Sequence, residues 1–321
     1  MRVHAMRKFL IAATALAAIA AASPASAAAI LVATTSAHAP NPLGGGDVSD
    51  EDHVERRIFP SSGPSRDVRA SSEASGFGAL SVAEASTELG INRAFARASS
   101  PATAGVDPRF PPVAGASAVS QWSDELTIGT VAPGGFVSFE FQFHAFTPQS
   151  SYDSPAGVLE YIVQFIQLFP FNQIELYRLT MDGNGNTYSN VPRFIGDGFE
   201  LAGDNPGDVT RLVGVTIPFV AHQTFGISSR LACGARAPYD ASNTQFCNAG
   251  GTSLWGGITG VTDADGNALT DWTVRSASGF DYTQSLIPPA VAVPEPSTWA
   301  MLILGFGAVG SLIRRRRALA A

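Results

Sequence analysis

Lysine is nearly missing from this chain, histidine is sparse and cysteine occurs only twice. Of the 20 basic residues 19 are Arg, against five His and two Cys in 321 residues. Neither cysteine belongs to a Cys-x-x-Cys pair, and His38, His53, His144 and His222 fall in no short ligand motif, so the pattern argues against a zinc module and implies no cofactor. Acidic residues number 27 and the formal net charge is −7. Without a basic stripe the chain has no electrostatic footprint for nucleic acid. Catalytic signatures are lacking as well. Gly226-Ile227-Ser228-Ser229-Arg230 begins like a nucleophile elbow but puts Arg where the second Gly is needed. Glu140, Glu160 and Glu175 could be drawn together as paired carboxylates for glycoside hydrolysis, yet any acidic β protein supplies such pairs. No catalytic residue is assigned, and the chain is expected not to be an enzyme.

What is present lies mainly at the two ends. Arg7-Lys8 precede an apolar, Ala-rich core from Phe9 to Ala22, followed by Ser23-Pro24 and Ala25-Ser26-Ala27, the small-x-small form of a signal-peptidase site. Residues 1–27 are therefore expected to be a signal peptide cut after Ala27, with Ala25 and Ala27 at the cleavage site and the Sec machinery and signal peptidase as partners. Met1 and Met6 are alternative starts, since Met1 to Ala5 adds nothing a signal requires.

At the other end Pro294-Glu295-Pro296 precedes Trp299 to Ile313, an apolar run of 15 residues closed by Arg314-Arg315-Arg316-Arg317. As a helix this run would span about 22 Å against roughly 30 Å of bilayer hydrocarbon, a marginal anchor. Trp299 suits the outer headgroup layer and the arginines the cytoplasmic side, which places the body of the protein outside and residues 314–321 inside. Pro294 and Pro296 stop the 299–313 helix from growing upstream. Residues 286–298 are left as an extended, accessible linker. Gly305, Gly307 and Gly310 also spell Gly-x-Gly-x-x-Gly, but inside an apolar run with no acidic residue after it they give a smooth helix face, not a dinucleotide turn.

This tail resembles the PEP-CTERM sorting signal of Gram-negative bacteria, through Pro294-Glu295-Pro296, Trp299-Ala300-Met301, Gly305-Phe306-Gly307, Gly310 and the arginine cluster. The resemblance implies that Glu295 and its prolines are read by an exosortase-type membrane protease, which cuts there and releases or transfers the protein. Export through the inner membrane, transient anchoring and a final place at the cell surface or outside it would follow. Processing at both ends removes Arg2, Arg7, Lys8 and Arg314 to Arg317, seven of the 20 basic residues and none of the 27 acidic ones, which leaves a net charge near −14. Outside the cytoplasm Cys233 and Cys247, 14 apart in a stretch rich in Gly, Ala and Asn, are most simply a disulfide across a loop.

Between the ends, residues 28–75 combine Ala, Ser, Pro, Gly44-Gly45-Gly46 and the acidic Asp47, Asp50, Glu51 and Asp52, and read as a flexible low-complexity segment. Residues 76–285 read as an all-β, antiparallel sandwich or jelly roll. The clearest strand is Phe136 to Phe146, where Val137, Phe139, Phe141 and Phe143 alternate with Ser138, Glu140, Gln142 and His144. Further strands are expected at 79–85, 94–98, 121–128, 174–181, 209–219, 224–231, 253–262 and 272–276. Ala156 to Phe169 is the one segment that reads as a helix, since Val158, Ile162, Phe165, Ile166 and Phe169 recur at helical intervals, and its β-branched and aromatic content supports a strand almost as well. Asp182 to Asn186 and Asp263 to Asn267 read as turns, with a weak calcium loop as the rival reading. Trp122, Trp255 and Trp272 would stack on a sugar if exposed; burial is the simpler expectation. The segments 256–282 and 81–93 also resemble the closing and opening strands of β-rich domains found upstream of such tails. The PEP-CTERM resemblance implies a surface or matrix protein, structural or adhesive and associated with exopolysaccharide; the alternatives are a glycan-binding module and a secreted polysaccharide-acting enzyme.

Overall fold

Strict alternation over 18 residues makes Val113–Thr130 the longest strand, with every even-numbered side chain buried from Ala114 to Thr130. A period of two puts one whole set of side chains on one face, and here that set is small at the start and large at the end. The computed structural model describes residues 29–40, 47–58, 67–101, 113–146, 157–167, 172–181, 187–190, 199–205, 208–238, 243–250 and 253–289. They form sixteen strands: β1 (Ala29–Ala39), β2 (Val48–Ile58), β3 (Val68–Gly76), β4 (Ala79–Glu88), β5 (Ile91–Ser100), β6 (Val113–Thr130), β7 (Gly134–Phe146), β8 (Gly157–Gln167), β9 (Asn172–Met181), β10 (Thr187–Asn190), β11 (Phe199–Asn205), β12 (Asp208–Val220), β13 (Thr224–Pro238), β14 (Asn243–Asn248), β15 (Ser253–Asp263) and β16 (Trp272–Ser276). One eight-stranded sheet runs β10-β9-β8-β13-β6-β1-β2, with β16 continuing beside β6 above β1. The other runs β11-β12-β7-β14-β5-β4-β3, with β15 continuing β14 in the gap between β5 and β7. Every pairing is antiparallel.

The two sheets face each other over one core. In half of it the inner residues are mostly alanine: Ala33 and Ala37 on β1, Ala83 and Ala85 on β4, Ala94, Ala96 and Ala98 on β5, and Ala114, Ala116 and Ala118 on β6. Such short side chains let the backbones approach, and Cα atoms of β1 lie within 8 Å of those of β3 and β4, nearer than the usual ~10 Å between stacked sheets. At that separation polar groups reach across. Thr35 Oγ1 and Ser72 Oγ share a hydrogen bond of 2.6 Å, Ser81 Oγ donates to the His38 carbonyl at 2.8 Å, and Asn92 Nδ2 donates to Ser229 O and Oγ at 3.0 and 2.9 Å. Each of these bonds satisfies buried polar groups and fixes one sheet against the other.

Several sequence expectations need correction. Residues 28–75 do not read through as one flexible segment: β1 lies between β2 and β6, and β3 forms the edge of the second sheet. Asp50, Glu51 and Asp52 of the acidic run lie on β2, where Asp52 Oδ2 and Asp50 Oδ2 accept the backbone N–H groups of Ser71 and Glu73 at 3.1 and 3.0 Å. Charge that looked like a mark of disorder closes an otherwise open strand edge. The helix expected within 156–169 is not formed: Gly157–Gln167 is strand β8, held between β13 and β9. Cys233 and Cys247 sit on strands, not in a loop; their disulfide joins β13 of one sheet to β14 of the other with a Cα–Cα distance of 5.7 Å. The expected signal peptide, the 182–186 turn, the 299–313 helix and the 314–321 tail lie outside the described residues.

Reducing this bridge, or replacing Cys233 and Cys247 by Ser, is expected to lower unfolding stability by about 3 kcal/mol, the scale for a loop of this length. Urea denaturation with and without reductant measures it; coincident transitions would show that the sheets hold together without the link.

Candidate functional site

The irregular segment after β16 decides where the folded unit ends and the tail begins. β6 continues beyond Ser123, its last residue paired to β1, and β15 carries two bulges, between Trp255 and Gly257 and between Ile258 and Gly260. Residues 277–286 fill the space so made and bond to both sheets. The Ala277 N–H donates to Glu125 O at 2.9 Å, while the Tyr282 carbonyl accepts from Ile258 N–H and Trp255 Nε1, each at 3.0 Å, and Leu286 N–H donates to Trp255 O at 2.8 Å. Two glycines make room. Gly257 has φ +93° and a Cβ there would sit 3.2 Å from Thr283 O; Gly90 has φ +79° and a Cβ would sit 2.7 Å from Leu286 Cδ1. Both positions need the left-handed backbone and the absent side chain together.

Tyr282 is the anchor of the segment. Fully buried, it meets Trp255 at a ring separation of 5.2 Å, Trp122 at 6.1 Å and Phe280 at 4.8 Å, and Trp255 in turn packs on Phe139 and Phe141. Its hydroxyl donates to Asp124 Oδ2 at 2.9 Å, and Ser278 Oγ donates to the same oxygen at 2.5 Å, while the Glu125 N–H donates to Oδ1 at 2.8 Å. Asp124 is 3% exposed. Burial pushes its carboxyl up to about 6, partly offset by the bonds from Ser278, Glu125 and Tyr282. Burial first, and then the Asp124 charge, hold the Tyr282 phenol well above its ordinary range, so it stays a donor. Trp122 Nε1 has no hydrogen-bond partner among the described residues.

The arrangement is structural in kind. It clamps a chain segment between two sheets and offers no open face to a substrate. Trp122 and Trp255 are buried and Trp272 is partly covered, so none of the three presents the open stacking face considered from sequence. His144 and His222 stand at opposite ends of the β7–β12 ladder. Ser228 lies in the extended middle of β13, where no elbow forms. Glu160 and Glu175 are tied to Arg178 at 2.9 and 2.7 Å, Glu160 also to Arg230 at 2.6 Å, and Glu140 belongs to the other sheet. Asp263 spends its carboxylate on its own loop, accepting from Asp265 N–H, Asn267 N–H and Asn267 Nδ2 at 2.8–2.9 Å. Among the described residues no three potential metal ligands converge. Sequence reading missed Asp124 and Tyr282, although an acidic residue at a buried position of the alternating β6 was a visible anomaly.

Asp124 gives the fold a pH dependence of definite sign. Its folded value lies above the ordinary 3.8, so the folded state binds the proton more readily. The contribution of this group is fully present below that ordinary value and is lost as pH rises from about 4 to 6, by roughly 3 kcal/mol. Asp263 and Asp281, held low by bonds from Asn267 and Thr283, lose their stabilising share only as pH falls below about 4. Thermal unfolding between pH 4 and 7 is therefore expected to show a midpoint that drops with rising pH, and Asp124→Asn to flatten the slope. A midpoint that climbs over this range contradicts the assignment. Tyr282→Phe is expected to cost about 1–3 kcal/mol, the worth of a hydrogen bond to a charged group.

Beyond Leu286 the chain leads to the sorting residues Pro294, Glu295 and Pro296, to Trp299, Gly305, Gly307 and Gly310, and to Arg314 to Arg317, all outside the described residues. No helix among the described residues is long and apolar enough to cross a membrane. Comparison with known families finds that residues 292–317 match the family model of the PEP-CTERM protein-sorting motif. No curated protein and no solved structure matches the chain. The motif implies export, transient anchoring in the membrane and processing by exosortase, a membrane protease. Residues 292–317 thus carry a PEP-CTERM protein-sorting motif, which supports an exported exosortase substrate with a C-terminal sorting signal.

Proposed function

We propose that this is a surface or extracellular-matrix protein, structural or adhesive and associated with exopolysaccharide, whose working part is the β-sandwich formed by the two sheets. The observation that carries the reading is the order of parts: a motif at 292–317 follows a domain whose last main-chain bond onto β15, among the described residues, is made by Leu286. Cutting at Pro294-Glu295-Pro296 would therefore leave Tyr282 and its clamp inside the product. An interior linked by a disulfide fits an oxidising destination, and a net charge near −14 after processing keeps a released domain soluble. Sec export and signal peptidase would bring the chain to the membrane, with cleavage after Ala27, two residues before β1 begins at Ala29. The protein is read as a binder or scaffold and not as an enzyme, and the ion pairs that occupy Glu160 and Glu175 support that reading.

Intact mass of the protein recovered from its native host tests this account. A C-terminus between Pro294 and Ser297 is expected, together with a membrane-retained, full-length form when Glu295 is replaced by Ala. A mature chain that ends at Ala321 would contradict it.

A further inference from the structure

The outer face of the second sheet carries a groove that the clamp does not use. Its volume is about 400 Å³, and its walls include Arg69, Ser71, Glu84, Ser86, Arg93 and Phe95. Register explains why these six meet. Arg69 on β3 stands opposite Ser86 on β4, which stands opposite Arg93 on β5; one step along, Ser71, Glu84 and Phe95 form a second row on the same face. With strands about 4.8 Å apart, the two arginines flank a gap of roughly 10 Å over the short Ser86 side chain. Gly250, in the turn after β14, also lines the groove, and its N–H donates to Asn248 Oδ1 at 2.8 Å.

Both guanidinium groups are steered by neighbours: Arg69 Nε donates to Asp67, and Arg93 Nη1 to Glu88 Oε1 at 3.4 Å. Each keeps further N–H donors beyond that one bond. The Glu84 carboxylate is exposed between them and supplies acceptors, the Ser71 and Ser86 hydroxyls act either way, and half-buried Phe95 presents an apolar ring. Such a set matches a molecule with adjacent hydroxyls and a flat C–H face, which is the surface of a pyranose. An anionic sugar fits less well. Glu84 stands in the middle of the donors, and the processed domain, near −14, repels a polyanion at long range.

We propose that this groove binds a neutral, hexose-containing glycan, with Phe95 under the sugar ring and Arg69, Arg93 and Glu84 on its hydroxyls. This rests on the reading of the protein as a polysaccharide-associated surface component and names the site through which that association is made.

Retention on immobilised glucan, mannan, galactan and a polyuronate tests it, with the exported protein recovered from its host. Retention on at least one neutral polymer is expected, with a loss of tenfold or more in both Phe95→Ala and Arg93→Ala. Because these side chains point outward, both variants are expected to melt with the native protein. Glu84→Gln is expected to weaken retention on the neutral polymer. Retention on polyuronate alone, retention of neutral polymer unchanged in both variants, or no retention at all would overturn the proposal. Intact mass of the same preparation shows separately whether the sorting tail was processed, so loss of the glycan site leaves the delivery account to stand or fall on its own.

Discussion

Tyr282 is held between two sheets by one carboxylate, and the architecture around it depends on that contact. Asp124 comes from β6 in one sheet, Trp255 from β15 in the other, and the Tyr282 hydroxyl and carbonyl bond to both. A buried carboxylate is costly by itself. Three donors repay part of that cost and make the irregular 277–286 segment adopt one path. The bulges of β15, the left-handed Gly90 and Gly257, and the aromatic group of Trp122, Trp255, Phe139 and Phe141 are all shaped to receive that path. A ring in a tight apolar cage with its polar end satisfied gives both the area and the directionality that a strand pairing would otherwise supply.

The rest of the interior solves a different problem. Alanine and serine faces bury little apolar area per residue, so close approach of the sheets has to be secured by other means. Cross-sheet hydrogen bonds at Thr35–Ser72, Ser81–His38 and Asn92–Ser229 do so at three places, and the Cys233–Cys247 bridge at a fourth. Thus one half of the core is held by polar ties between small residues and the other half by large rings. The interior is devoted to holding the sheets together.

Much of this was legible where the side-chain contrast is strong. Phe139, Phe141 and Phe143 announced β7 through their alternation with Glu140 and Gln142, and the tail declared its motif through Pro294, Glu295, Pro296 and the arginines. β1 and β3 were not legible, because Ala, Ser and Thr alternate with little difference in polarity, and β2 because its carboxylates find partners on another strand that periodicity cannot show. The clamp escaped for the same reason: Asp124 and Tyr282 are 158 residues apart, and only topology brings them together. The groove is hidden in sequence as well, since its six residues alternate with buried alanines and serines on three strands and form a surface only in register.

Tyr282 and the bonds of residues 277–286 complete the folded unit. The most direct test compares the thermal unfolding of the mature chain cut after Ala290 with that of the same chain cut after Ser276. The first is expected to unfold in a single transition at the midpoint of the uncut exported protein. The second, deprived of Tyr282, Ser278 and the bond to Trp255, is expected to unfold at a markedly lower temperature with a broader transition. Equal midpoints for the two would contradict the account, because the clamp would then contribute nothing to the domain that the tail delivers.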